Sequence, residues 1–234
     1  MDALVDNKRI PGETKRLRAM EKQKQKERKR WIFFCICFAA IAAVVIAVIF
    51  APKPKPVAFD YQQLPMLGSA DAPVKIVEFG DFKCPACRYF SQEIKPKLLQ
   101  DYIDKGEVAF YFMNHTIIGP DSFAAAVAGQ SVYHQNPKEF WKYYDAIYKN
   151  QGDERVAWAT PSFLVELAKN AQLQVDYEKL MRDIENEAYA NEVIAHNEKA
   201  EKLISATPTL FINGVKYVDF ADYDKLKREI AKAG

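Results

Sequence analysis

Cys84 and Cys87 stand three residues apart in the stretch FGDFKCPACRYF, Phe79 to Phe90. That spacing serves three chemistries: a structural staple, half of a metal site, or a dithiol that cycles with its disulfide. Zinc takes four ligands, usually two such pairs or one pair and two histidines. The three histidines here, His115, His134 and His196, are scattered singly. As a staple the pair closes a minimal loop, and the chain-entropy benefit of a crosslink grows with loop length. The other cysteines, Cys35 and Cys37, lie far upstream in an apolar run and read as packing or lipid-facing residues. A pair too short to staple and too few to hold a metal points to thiol reactivity, with no metal and no organic cofactor.

The surrounding residues favour the same reading. Cys84 ends a loop, and Pro85 takes the first position of a helix, where its missing N–H is no loss. A thiolate at Cys84 would face unpaired amide N–H groups and the positive end of the helix dipole, which lower a thiol pKa below its usual value of about 8.5. Cys87 sits one turn deeper. The expected division is a nucleophilic Cys84 and a buried, resolving Cys87.

Several elements must hold this pair. VKIVEFG (Val74–Gly80) is short, β-branched and bounded by turn residues, and reads as a buried strand. The chain from Cys84 to about Lys105 reads as a helix with a kink or break at Pro96. EVAFYFM (Glu107–Met113) reads as a second strand, which makes a right-handed βαβ unit with parallel strands. Residues 117–204 read as helical throughout. Asp121 is expected to cap an alanine-rich helix, Pro137 and Thr160-Pro161 to open others, and a charged amphipathic stretch to run from Asp176 to Ile204. TLFI, the turn Asn213-Gly214 and VKYVDF make a hairpin, and Tyr223–Lys232 a closing helix. Asp219, Asp222 and Asp224 read as a solvated helix start, and LPMLGSADAP as irregular chain.

The ends of the chain differ in charge. Residues 1–30 carry 11 Lys and Arg against 5 Asp and Glu, residues 31–50 carry none, and residues 51–234 hold 22 basic and 26 acidic groups. The 20-residue run WIFFCICFAAIAAVVIAVIF would span roughly 30 Å as a helix, the thickness of a bilayer core. The expected organisation is a basic cytoplasmic tail (1–30), a single transmembrane anchor (31–50), a Pro/Lys stalk (51–60) and an extracytoplasmic domain (61–234). The basic run EKQKQKERKR sets topology and touches the lipid bilayer; no nucleic acid is expected.

A second motif, ATPTLFING (Ala206–Gly214), lies far downstream of CPAC. Together the two resemble the thioredoxin superfamily, in which a cis-proline loop, here Thr207-Pro208, packs beside the cysteines. X-Pro bonds are the ones that adopt cis at small energetic penalty. Within that superfamily, residues 61–234 resemble the DsbA-like proteins, specifically their membrane-tethered Gram-positive members. The lead-in LGSADAPVKIVEFGDFKCPAC, the proline after the first cysteine, and the helical insert (about 117–204) carry the likeness.

The resemblance implies an α/β thioredoxin fold with that insert between strand two and the cis-proline loop. It implies that Cys84 is the attacked and attacking sulfur and that Thr207 offers its backbone to an extended substrate chain. Pro208 would block wrong pairing at the sulfurs, and Glu78 would be a buried acid moving a proton to or from Cys87. Phe82, Pro85, Ala86 and Thr207 would form the substrate surface. The partners implied are reduced exported proteins and a quinone-linked membrane oxidoreductase that reoxidises the pair. Ala86 departs from the family's strongest oxidants, which carry histidine there. A reductase or isomerase is therefore the rival within the class, and a non-catalytic binding module for unfolded chains the rival outside it.

Overall fold

The computed structural model describes residues 11–49 and 55–234, with some side chains near the ends of the first segment left out. The chain divides into two compact units after Pro54. The first contains α1, Pro11–Ile49. Among the described residues no helix is long and apolar enough to cross a membrane, so the structure does not support the expected anchor. That anchor (31–50), the tail (1–30) and the stalk (51–60) each run partly outside the described residues.

The second unit, Lys55–Gly234, begins earlier than the expected boundary at Tyr61. Phe59, read in sequence as stalk, is buried against Phe79 and Phe211 at ring separations of 6.0 and 5.4 Å. Its apolar ring outweighs the extended-chain preference of the prolines before it. Val57 N–H also donates to Gly214 O at 2.8 Å. A side chain at Gly214 would meet that Val57 backbone at 2.5 Å, and Gly214 has φ +81°, so glycine is required twice over.

Five strands form one sheet in the order β1-β3-β2-β4-β5: β1 Met66–Leu67, β2 Val74–Gly80, β3 Val108–Asn114, β4 Thr209–Ile212 and β5 Val215–Tyr217. β2 runs parallel to β3, as the βαβ unit requires, and antiparallel to β4; β4 and β5 pair antiparallel, as the hairpin requires. β1 was not foreseen; two residues give no periodicity to read. β5 ends at Tyr217 rather than Phe220.

Both sheet faces are covered. Ile76, Phe110, Phe112, Leu210 and Ile212 face the larger core with the helices of the insert, while Val77, Phe79, Tyr111 and Phe211 face a smaller one with Ala200 and Ile204. A strand covered on both sides needs no polar face, which is why VKIVEFG alternates so weakly.

The helix after the cysteines runs through Pro96 without a break. α2 (Pro85–Tyr89) passes into a π turn at Phe90–Ile94, then α3 (Lys95–Leu98) and a second π turn at Leu99–Ile103. Pro96 cannot donate to the carbonyl four residues back, and the wide turn just before it absorbs the lost bond.

The insert comprises α4 (Pro120–Gln135), α5 (Phe140–Lys149), α6 (Pro161–Asn170), α7 (Tyr177–Glu185) and α8 (Ala190–Leu203). The Asp176–Ile204 stretch is thus two helices, divided near Glu187 at φ +50°. Thr160 caps α6 as expected, its hydroxyl accepting from Phe163 N–H at 3.3 Å. Gly119, not Asp121, stands at the N-terminus of α4. α9 (Tyr223–Ala233) closes the chain, capped by Asp222.

Candidate active site

Asp81 builds the turn that presents the cysteines. Its Oδ1 accepts from Lys83 N–H at 2.8 Å, its backbone O from Cys84 N–H at 2.9 Å, and its Oδ2 from the amides of Ile117 and Ile118. This buried carboxylate ties the loop after β2 to the chain after β3. Asp121, freed from capping, makes a buried ion pair with Lys83 (Nζ to Oδ1 2.6 Å) and accepts from Trp158 and Ala159 N–H. The pair joins the cysteine loop to two parts of the insert.

Cys84 is the N-cap residue of α2, with Pro85 next. Its thiol donates to Thr207 O at 3.3 Å across 123 residues of chain, and the Thr207-Pro208 bond is cis. The two motifs therefore meet as expected. The Cys84 thiol is lowered from about 9 to about 6: the Cys87 thiol donates to its sulfur, burial opposes, and the Thr207 hydroxyl and the amides of Cys87 and Ala86 add further stabilisation. The Thr207 hydroxyl is buried and has no hydrogen-bond partner of good geometry among the described residues, so it can turn toward the thiolate. Cys87 is fully buried, and burial pushes its thiol well up, reinforced by the charge and acceptor capacity of Cys84.

Glu78 lies beneath them, fully buried on the larger-core face of β2. Tyr144 O–H on α5 donates to its Oε2 at 2.7 Å, while Oε1 has no partner among the described residues. Burial raises the carboxyl from 4.5 to about 8; the Tyr144 bond and the charge of Lys95 pull it down, and the Cys84 charge pushes it up. Lys95 is itself buried, paired with Asp145 at 2.6 Å and 4.7 Å above the Tyr144 ring.

Replacing this acid gives a testable sign. Folded Glu78 keeps a proton that the unfolded chain loses, so stability falls as pH rises from about 4.5 to about 8. Glu78→Gln keeps the shape and removes the slope. Urea denaturation of the oxidised protein should show the variant gaining on the parent by on the order of 3 kcal/mol between pH 5 and pH 8. Parallel stability curves would mean that the carboxyl does not titrate there.

Of the residues expected at the substrate surface, Pro85 is exposed and Ala86 and Thr207 are half-buried. Phe82 is not at the surface. It is 1% exposed, its ring against Phe112, Tyr144 and Tyr148, because the turn built by Asp81 points it into the core. Pro208 is buried beside the cysteines. Sequence reasoning did not find Tyr144, Lys95, Lys83 or Asp121 as site residues. The aromatic positions Trp141, Tyr144 and Tyr148 do mark one face of a helix, but nothing local says what that face meets. No metal-binding cluster of His, Cys, Asp and Glu occurs among the described residues.

Comparison with known proteins agrees with this geometry. The thioredoxin family model matches residues 61–232. Disulfide bond formation protein D of Bacillus subtilis is 40% identical over 169 residues, covering 72% of this chain and 76% of that protein. The crystal structure of oxidised BdbD from B. subtilis superposes with a TM-score of 0.72 at 37% identity, covering 77% of this chain and 96% of that one. DsbA of Chlamydia trachomatis superposes at 0.67 with 25% identity and the same coverage. The chain belongs to the thioredoxin family, in its DsbA-like branch, and is a thiol:disulfide oxidoreductase.

Proposed function

We propose that the protein is an extracytoplasmic dithiol oxidase that transfers the Cys84–Cys87 disulfide to exported proteins. The observation that carries this is the asymmetry of the pair: a Cys84 thiol lowered to about 6 beside a fully buried Cys87 pushed well up. A substrate thiolate attacks Cys84 Sγ, the Cys84–Cys87 bond breaks, and Cys87 leaves and takes a proton. Glu78, protonated near neutral pH, is the group placed to supply it. A second substrate thiolate then attacks its own sulfur in the mixed disulfide, and Cys84 leaves as a stable thiolate. Substrate is oxidised by two electrons and the enzyme reduced by two. In the mixed disulfide Cys84 has no proton to donate, so Thr207 O is released to accept from the substrate backbone, with Pro85 and Ala86 flanking the chain. A quinone-linked membrane oxidoreductase would restore the disulfide.

Ala86 favours a second reading, a reductase fed electrons across the membrane, because it lacks the donor that histidine would bring near the sulfur. Titrating the pair in glutathione buffers decides between them. A potential nearer −120 mV than about −270 mV supports the oxidase, and the reverse supports the reductase.

The location is part of this proposal. It rests on the charge-free run 31–50 behind a basic flank and on the exposed Trp31, Phe33, Phe34, Ile36 and Phe38 of α1. A membrane-impermeant maleimide applied to intact, reduced cells should label Cys84. Labelling only after lysis would place the domain in the cytoplasm.

A further inference from the structure

The last turn of α5 and the segment that follows it pack against the cysteine loop from the insert side. Tyr148 O–H donates to Asp81 O at 3.2 Å. Gln151, which is buried, places Nε2 2.8 Å from Phe82 O and 3.1 Å from Cys84 O. The α2 helix returns the contact: Arg88 Nη1 donates to Gln151 O at 3.3 Å, and Gln92 Nε2, on the π turn after it, to Tyr148 O at 3.3 Å. One amide group thus grips two carbonyls on either side of Lys83, and its own backbone is gripped by the helix that the cysteine begins. The Phe82 carbonyl has no other donor among the described residues.

We propose that Gln151 is a positioning residue for the reactive sulfur: its amide fixes the carbonyls of Phe82 and Cys84 so that Cys84 Sγ faces the N–H groups of Ala86 and Cys87. The physical reason has two parts. A capping anion is stabilised only while the cap residue holds its extended conformation, here φ −74° and ψ 121°. A carbonyl oxygen left bare near a thiolate presents its negative end to it; the Cys84 carbonyl also accepts from Arg88 N–H at 3.1 Å, so it is the Phe82 carbonyl that depends on Gln151 alone. The helical insert, through this one side chain, therefore helps keep the redox sulfur facing the amides that stabilise its anion. The inference rests on Cys84 being the reactive thiol.

The test is a pH titration of Cys84 thiolate absorbance in the reduced full chain, comparing the parent with Gln151→Met and Gln151→Glu. The methionine removes both donors at similar size, and the glutamate also turns a carboxylate toward the two carbonyls. The expected result is a rise of about one unit in the midpoint with methionine, which lowers the thiolate fraction at pH 7 from about nine-tenths to about one-half. The glutamate should raise it further. A purely structural role would lower the melting temperature and leave the midpoint in place, and that outcome overturns the proposal. Should the variants not fold, the parent still decides. The Gln151 side-chain amide signals in nuclear magnetic resonance should move with pH around 6 in the reduced protein and stay constant in the oxidised one. Signals flat from pH 5 to 8 in both states overturn the inference. A parent midpoint near 8.5 would instead overturn the reading of Cys84 itself.

Discussion

A Cys87→Ser variant given a protein disulfide is expected to accumulate a mixed disulfide through Cys84, while a Cys84→Ser variant accumulates none. The difference follows from access and acidity. Cys84, at the start of α2, keeps 6% of its surface open and its thiol is lowered to about 6, whereas Cys87 is 0% exposed and its thiol is pushed well up. The thiolate is the nucleophile in exchange, so only Cys84 attacks an incoming disulfide. In the parent, Cys87 then displaces the substrate sulfur and the complex is short-lived. Without Cys87 the bond to Cys84 persists, and the Thr207 backbone remains available to hold the substrate chain beside it. Both variants should lose turnover by at least about a thousandfold, because each removes a member of a unit that works only together. Non-reducing electrophoresis reads the trapped species. A Cys84→Ser variant that traps substrate through Cys87 would reverse the assigned roles.

What the sequence discloses about this site is local. The cap position of Cys84, the turn at Asn213-Gly214 and the cap at Thr160 are each decided by a few consecutive residues, and each is found where those residues require it. The meeting of Cys84 with Thr207 was legible for another reason: two motifs of known kind imply one another although 123 residues separate them. Asp121 was misread because its nearest role, capping α4, lost to a distant one. A buried Lys83 needs a counter-charge more than a helix N-terminus needs a cap. Phe82 was misread because its neighbours say nothing of the aromatic cluster it enters. Tyr144 is marked locally only as part of an aromatic helix face, and Gln151 carries no signal in its own stretch. Their partners lie 66 and 67–69 residues away, and only the folding of the insert over the cysteine loop brings them there.

The stability of the reduced protein is expected to rise relative to the oxidised protein between pH 6 and about pH 8.5. In the folded dithiol Cys84 has lost its proton above about 6, whereas in the unfolded chain it keeps it until about 9. Over that window the unfolded state binds more protons, so stability increases with pH and the contribution is lost as pH falls through 6. The full shift corresponds to about 4 kcal/mol; solvent at the mouth of the site reduces this to about 2–3 kcal/mol. Above about 8.5 the gain stops. Unfolded Cys87 then begins to ionise while its buried folded form cannot, which acts in the opposite direction.

The oxidised protein has neither thiol, so the difference between the two forms isolates the sulfurs, and the Glu78→Gln background removes the opposing slope of that carboxyl. Urea denaturation of both forms at pH 6, 7 and 8 measures it. The same free energy drives function: whatever stabilises the folded dithiol over the disulfide favours transfer of the disulfide to substrate. If the two forms keep a constant gap across these pH values, the thiolate is not stabilised by the fold. The oxidising power of the pair would then have to come from strain or from its partner rather than from the amides at the start of α2.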